Sequence, residues 1–160
     1  GMEGRSETMQ FVPVAEFKGL PSSGGSFVTG AETAGLLIVP PGDPLFREIR
    51  DREQMIIPED MGAIKDLIKE VGVDVLEIAG HMEVAEDGDL ISVTMKNYRL
   101  IDGCREIARE SPRCCTAIPC PVCSLFACIL AEGCGKVVQL EHCSEEQTTG
   151  SVTAVFTLLP

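Results

Sequence analysis

Apolar and polar positions recur with changing period along the chain, and each change of period marks an element. Residues 10–17 mix the two kinds loosely, as an edge strand interrupted by Pro13 does, and residues 35–39 form a short apolar run that reads as a strand. Pro40-Pro41-Gly42 ends that run. Asp43 as the cap, with Pro44 at the first helical position, then predicts a helix over residues 44–53. Met61, Ile64, Leu67, Ile68 and Val71 repeat at helical spacing behind the acidic opening Pro58-Glu59-Asp60, so an amphipathic core helix is expected there, stopped by Gly72. Residues 73–85 are β-like, and Glu86-Asp87-Gly88-Asp89 supplies a hairpin turn. Beyond it Leu90, Ser92 and Thr94 alternate with Ile91, Val93 and Met95, the period of a strand with one buried face.

The second half replays this order. Residues 101–110 read as a helix, 111–119 as a loop, 121–131 as a helix, and 136–143 and 151–158 as strands. Local words echo too: Arg47-Glu48-Ile49 recurs as Arg105-Glu106-Ile107, and Ile57-Pro58 with Gly72 recurs as Ile118-Pro119 with Gly133. An internal helix-helix-strand-strand duplication and independent reuse of common start and stop signals both account for the echo. Either way the expected fold is α+β, an antiparallel sheet packed with helices. Residues 1–26, polar at first and ending in the turn Pro21-Ser22-Ser23-Gly24-Gly25-Ser26, read as an N-terminal extension, partly disordered or an edge strand. Residues 27–160 read as a single domain.

Charge narrows the partners. With 25 acidic against 13 basic residues the formal charge is −12, a field that repels phosphate backbones and anionic lipid headgroups, so neither nucleic acid nor a membrane surface is an expected partner. The polar segment before Gln10 carries no secretory h-region, and the longest nearly uncharged apolar stretch, residues 122–131, is half the length of a membrane-spanning helix. A cytoplasmic location is expected, in a compartment where clustered thiols mean metal binding or redox work more often than disulfides.

All eight cysteines fall between Cys104 and Cys143. In Cys120-Pro121-Val122-Cys123 the first cysteine sits at a helix N-cap, Pro121 at the first helical position and Cys123 in the first turn, where free backbone N–H groups and the helix dipole favour a thiolate. Two such sulfurs can share one tetrahedral ion, with Cys104, Cys114, Cys115, Cys143 and His142 as candidates for the remaining ligands. A redox dithiol, an iron–sulfur cluster and inert packing are the alternatives. Cys128 and Cys134, further along the apolar helix, read as small hydrophobes, and His81 as a structural or exposed residue. The acidic groups Glu59, Asp60, Glu86, Asp87 and Asp89 are explained by a helix start and a hairpin turn. No Ser-His-Asp order, phosphate loop or dinucleotide fingerprint is visible, which leaves catalysis without positive evidence and the reading leaning towards a protein that is not an enzyme.

Several of these segments carry a resemblance: residues 64–78 as helix, glycine and strand; Gly88-Asp89-Leu90-Ile91-Ser92-Val93 through Asn97; the cysteine-led helix ending Ala131-Glu132-Gly133; and Glu141-His142-Cys143 followed by Gly150 and Phe156. Over residues 58–159 the chain resembles the 4-vinyl-reductase-type domain, a hydrocarbon-binding module, and more distantly the TRAPP trafficking subunits. The resemblance implies an apolar pocket for a small hydrophobic ligand and, in some members, a zinc ion held by cysteines beside it. Cys115 or Cys120 would match the helix-start cysteine and Cys143 the cysteine after the glutamate. Family members often carry a final cysteine just before the position of Phe156, where this chain has Ala154-Val155. Cys120 and Cys123 together would compensate, making Cys115, Cys120, Cys123 and Cys143 a four-sulfur site.

The expected function is therefore a binding or sensor domain in which Leu125, Phe126 and Ile129 line a cavity for an apolar ligand, beside a cysteine-bound zinc or, alternatively, an iron–sulfur cluster. A redox or metal-handling protein using Cys120 and Cys123, and an oligomerisation module paired as a homodimer, are the competing readings.

Overall fold

The computed structural model describes residues 8–13, 27–29 and 34–160. The turn expected at residues 21–26, the polar segment 1–7 and residues 14–17 of the first expected strand lie outside the described residues. Three short strands, β1 (Gln10–Pro13), β2 (Phe27–Thr29) and β3 (Ala34–Ile38), form an antiparallel sheet with β3 in the middle. Pro13, the last residue of β1, stands on an edge, where its missing N–H interrupts no ladder.

The rest of the chain is an antiparallel α+β assembly. Helices α1 (Asp43–Glu53) and α2 (Met61–Glu70) precede the hairpin of β4 (His81–Asp87) and β5 (Leu90–Lys96). Helices α3 (Ile101–Glu110), α4 (Cys114–Ala117) and α5 (Pro121–Cys134) precede the hairpin of β6 (Val137–Glu146) and β7 (Ser151–Leu159). The strand order β4-β5-β7-β6 sets the second strand of one hairpin against the second strand of the other. The repeated order read from the sequence thus becomes two hairpins placed back to back.

One face of this sheet is core. Ile91, Val93 and Met95 of β5 and Val152, Ala154, Phe156 and Leu158 of β7 are buried against Ile64 and Ile68 of α2 and Leu125, Phe126, Ile129 and Leu130 of α5. The alternating residues turn polar groups outward, and the Thr94 and Thr153 hydroxyls meet there at 3.0 Å. Residues Cys114–Cys134 together have the length and composition of a membrane-spanning helix. Ile118, Pro119 and Cys120 divide them into α4 and α5, and α5 puts its apolar side chains into the core.

Several boundaries differ from the sequence reading. Asp43 is not the cap of α1: Gly42 is, its N–H donating to the buried Ser124 hydroxyl at 2.9 Å, while Asp43 pairs with Arg47 at 2.7 Å. Gly72 does not stop its helix; the backbone continues through a π-turn, Val71–Val75, closed by Leu76 N–H to Val71 C=O, and Met82 packs where a Gly72 side chain would stand. Residues 73–80 consequently lie outside β4. Gly133 is not a stop either, because α5 ends at Cys134 with Gly135 as its left-handed cap; a Cβ on Gly133 would lie 2.6 Å from Ile64 Cδ1, so the glycine permits close packing of α2 on α5. Asp60 does cap α2 as its position suggests, accepting the Ala63 N–H at 3.0 Å. Asp60→Ala is expected to cost about 1 kcal/mol, seen as a lower urea midpoint with unchanged slope.

Candidate functional site

The break before α5 builds the site. Pro119 and Pro121 flank Cys120, which takes an extended conformation (φ −61, ψ 161) and caps the helix with its sulfur, accepting the Cys123 N–H at 3.5 Å. Cys123, one turn further on, is 2% exposed. The sequence reading of this motif is reproduced: Cys120 is the N-cap, Pro121 opens the helix, and Cys123 sits in the first turn.

Cys143 reaches the same place through an irregularity in β6. Regular pairing continued from Leu140 and Phe156 would set Cys143 opposite Thr153, on the outer face. A register shift between Leu140 and His142 sets it opposite Ala154 instead, on the inner face with the helices. The same shift places His142 opposite Val155, exposed and on the other side of the sheet from Cys143. His142, a ligand candidate by sequence proximity alone, is therefore turned away from the sulfurs.

The Cys123 N–H bonds to the Cys120 sulfur at 3.5 Å, and the Cys123 thiol interacts electrostatically with both Cys120 and Cys143. Cys115 on α4 and Cys104 on α3 stand close enough that the charges of Cys120 and Cys143 act on them, and the buried Tyr98 feels Cys104, Cys120, Cys123 and Cys143. The four sulfurs anticipated as ligands thus share one neighbourhood, with Cys104 and Tyr98 added. Tyr98 carried no sequence signal. Beside Cys104 and Cys143, Arg105 Nε and Glu145 Oε2 face each other at 4.0 Å, both buried without a hydrogen bond among the described residues.

The thiols differ sharply in acidity. Cys120 is drawn down to about 6, first by the Cys123 hydrogen bond, with backbone N–H groups assisting and burial opposing. Cys143 is lowered by its bond from Cys123, again against burial. Cys123 is held well above the ordinary thiol range by donating to both neighbours, then by burial. Burial, followed by repulsion from Cys143 and Cys120, pushes Cys104 up to about 12 and raises Cys115. Acidity is thus raised at Cys120 and Cys143 and suppressed at Cys123 between them.

Two pH dependences follow for metal-free protein. Alkylation of Cys120 by iodoacetamide is expected to rise with a midpoint near 6. Because its folded-state value lies below the unfolded one, Cys120 contributes stability that is present above about pH 9 and lost as pH falls through 6. Cys104, raised in the folded state, contributes stability below about pH 9 that is lost as pH rises towards 12. Urea midpoints measured across this range should show the two slopes with opposite sign.

The remaining cysteines stand apart. Cys128 is buried, donates to no member of the cluster, and is raised to about 11 chiefly by burial; Cys134 is half-buried at the far end of α5, and Cys114 is exposed. Leu125, Phe126 and Ile129 are completely buried in the core one and two turns beyond the thiols. Among the described residues, no three Cys, His, Asp or Glu side chains already stand at the mutual spacing of a metal cage.

Fold and site define a class, an α+β domain with a partly buried group of thiols at the start of its core helix. Residues 2–156 match the family described as "Domain of unknown function (DUF7982)", and the chain belongs to that family. No curated protein matches the chain significantly, and no solved structure does.

Proposed function

We propose that the chain is a non-enzymatic binding module whose working site is a thiolate-held metal ion at the N-terminus of α5. The observation that carries this reading is the convergence of Cys115, Cys120, Cys123 and Cys143 from a short helix, a helix cap, a helix turn and an irregular strand. An all-sulfur donor set favours zinc, with an iron–sulfur cluster as the other occupant of this chemistry, and disfavours magnesium or calcium. Protonated Cys123 would lose its proton to the ion, relieving the hydrogen-bonded arrangement that Cys120 and Cys143 share with it. Cys115 and Cys143 would supply the remaining ligands, with Cys104 as a further thiol in electrostatic range of the set.

The apolar ligand belongs to the same proposal but draws its support from the resemblance to the 4-vinyl-reductase-type domain and from the repeated helix-helix-hairpin order. Leu125, Phe126 and Ile129 are packed core side chains, so a ligand would have to open the core beside the thiols.

Anaerobic purification followed by elemental analysis tests the ion. About one equivalent of zinc per chain is expected, replaceable by cobalt with a thiolate-to-metal absorption band in the near ultraviolet. Cys143→Ser should lose the band while Cys128→Ala keeps it. Protein that holds no stoichiometric metal and gives no cobalt band overturns the reading.

A further inference from the structure

Three sulfurs of the cluster stand in sequence from the helix cap to the sheet. Cys120 is partly exposed, Cys123 is buried behind it, and Cys143 lies beyond on the inner face of β6. Cys123 follows Cys120 by one helical turn with its N–H bonded to the Cys120 sulfur at 3.5 Å, and Cys143 acts on the same thiol from β6, so Cys123 is the partner the other two share. Cys128 and Cys134 lie further along α5, beyond its first turn.

We propose that Cys120, Cys123 and Cys143 form a redox switch, in which a hydroperoxide reaching Cys120 is reduced and the site is left as a disulfide on Cys123 that can no longer hold an ion. In the first step the Cys120 thiolate attacks the terminal peroxide oxygen; the S–O bond forms, the O–O bond breaks, and hydroxide or alkoxide leaves and takes a proton. In the second step the sulfur of Cys123 attacks that of Cys120. The S–S bond forms, the S–O bond breaks, and the departing hydroxide takes the Cys123 proton and leaves as water. Two electrons pass from the two thiols to one peroxide. Cys143 can then attack the Cys123 sulfur and release Cys120 as thiolate, which moves the disulfide inward without further oxidation. The local geometry suits the first bond, because Cys120 at the cap and Cys123 one turn on already hold the Cys123 N–H against the Cys120 sulfur at 3.5 Å.

This inference rests on the proposed metal site only for ion release; the disulfide stands on the sulfur positions alone. The whole chain is treated with a slight excess of hydrogen peroxide, once after chelation and once loaded with zinc, then alkylated and mapped by mass spectrometry without reduction. Loss of about two thiols per chain is expected, with Cys123 in an intramolecular disulfide to Cys120 or Cys143. In the loaded sample, zinc should appear in solution in step with that disulfide. Cys143→Ser should retain the Cys120–Cys123 disulfide. In Cys123→Ser, Cys120 should pass on to the sulfinic acid, and Cys128→Ala should behave as the parent chain. Cys123 remaining alkylatable after oxidation, or disulfides only between chains through the exposed Cys114, overturns the switch. A disulfide in a chain that never held zinc overturns the metal reading and leaves the switch standing; bound zinc with no disulfide does the reverse.

Discussion

Gly42→Ala is expected to lower folding stability by about 3 kcal/mol or more. Gly42 lies where α1 begins against the first turns of α5, and a Cβ there would stand 2.6 Å from the Ser124 carbonyl carbon and closer still to Leu125 N. Both obstacles are backbone, so no rotamer change relieves them. Moving the two helices apart would also lengthen the bond from Gly42 N–H to the Ser124 hydroxyl, leaving the buried Gly42 N–H without its partner. Gly103 is the control. It lies inside α3 with no atom near the position of its Cβ, and Gly103→Ala should raise stability by about 0.5–1 kcal/mol. Urea denaturation of the two variants measures both effects, and equal losses would refute this account of Gly42.

Phe126→Ala separates two roles for the apolar part of α5. As a core side chain with no solvent exposure, in the same buried cluster as Phe156 and Ile129, Phe126 should cost about 3–5 kcal/mol on truncation. As the lining of a ligand cavity it would cost far less, because a cavity wall already lacks packing partners on one side. Thermal or urea unfolding reads the difference directly. A loss under about 1.5 kcal/mol would show that the region accommodates repacking and would favour an apolar pocket there.

Much of the α+β fold is legible along the chain because its signals are local. The alternation of Ile91, Val93 and Met95 with Ser92 and Thr94 has period two, and a one-sided sheet is its direct consequence. Helices α2, α3 and α5 announce themselves through Asp60, through residues 101–110 and through Cys120-Pro121. The short helix Cys114–Ala117 does not, since a single turn has too few residues for an apolar period. Gly72 and Gly133 carry the sequence mark of a stop, yet each is small for another reason, the approach of Met82 in one case and of Ile64 in the other.

The candidate site divides in the same way. Cys120 and Cys123 are placed by their own segment: two prolines and a helix start suffice to put one sulfur at the cap and the next in the first turn. Cys143 is not. Whether it faces solvent or the thiols depends on one extra residue in β6 relative to β7, and that phase exists only when the two strands pair. Tyr98, Cys104 and Arg105 join the cluster from the turn before α3 and from α3 itself, and Glu145 from β6, brought there by the packing of α3 and β6 and not by any local pattern. Hydrophobic period, capping and turn chemistry act over a few residues and so are written in sequence, whereas the facing of a paired strand and the neighbours of a buried sulfur depend on contacts between distant segments, which only the folded chain supplies.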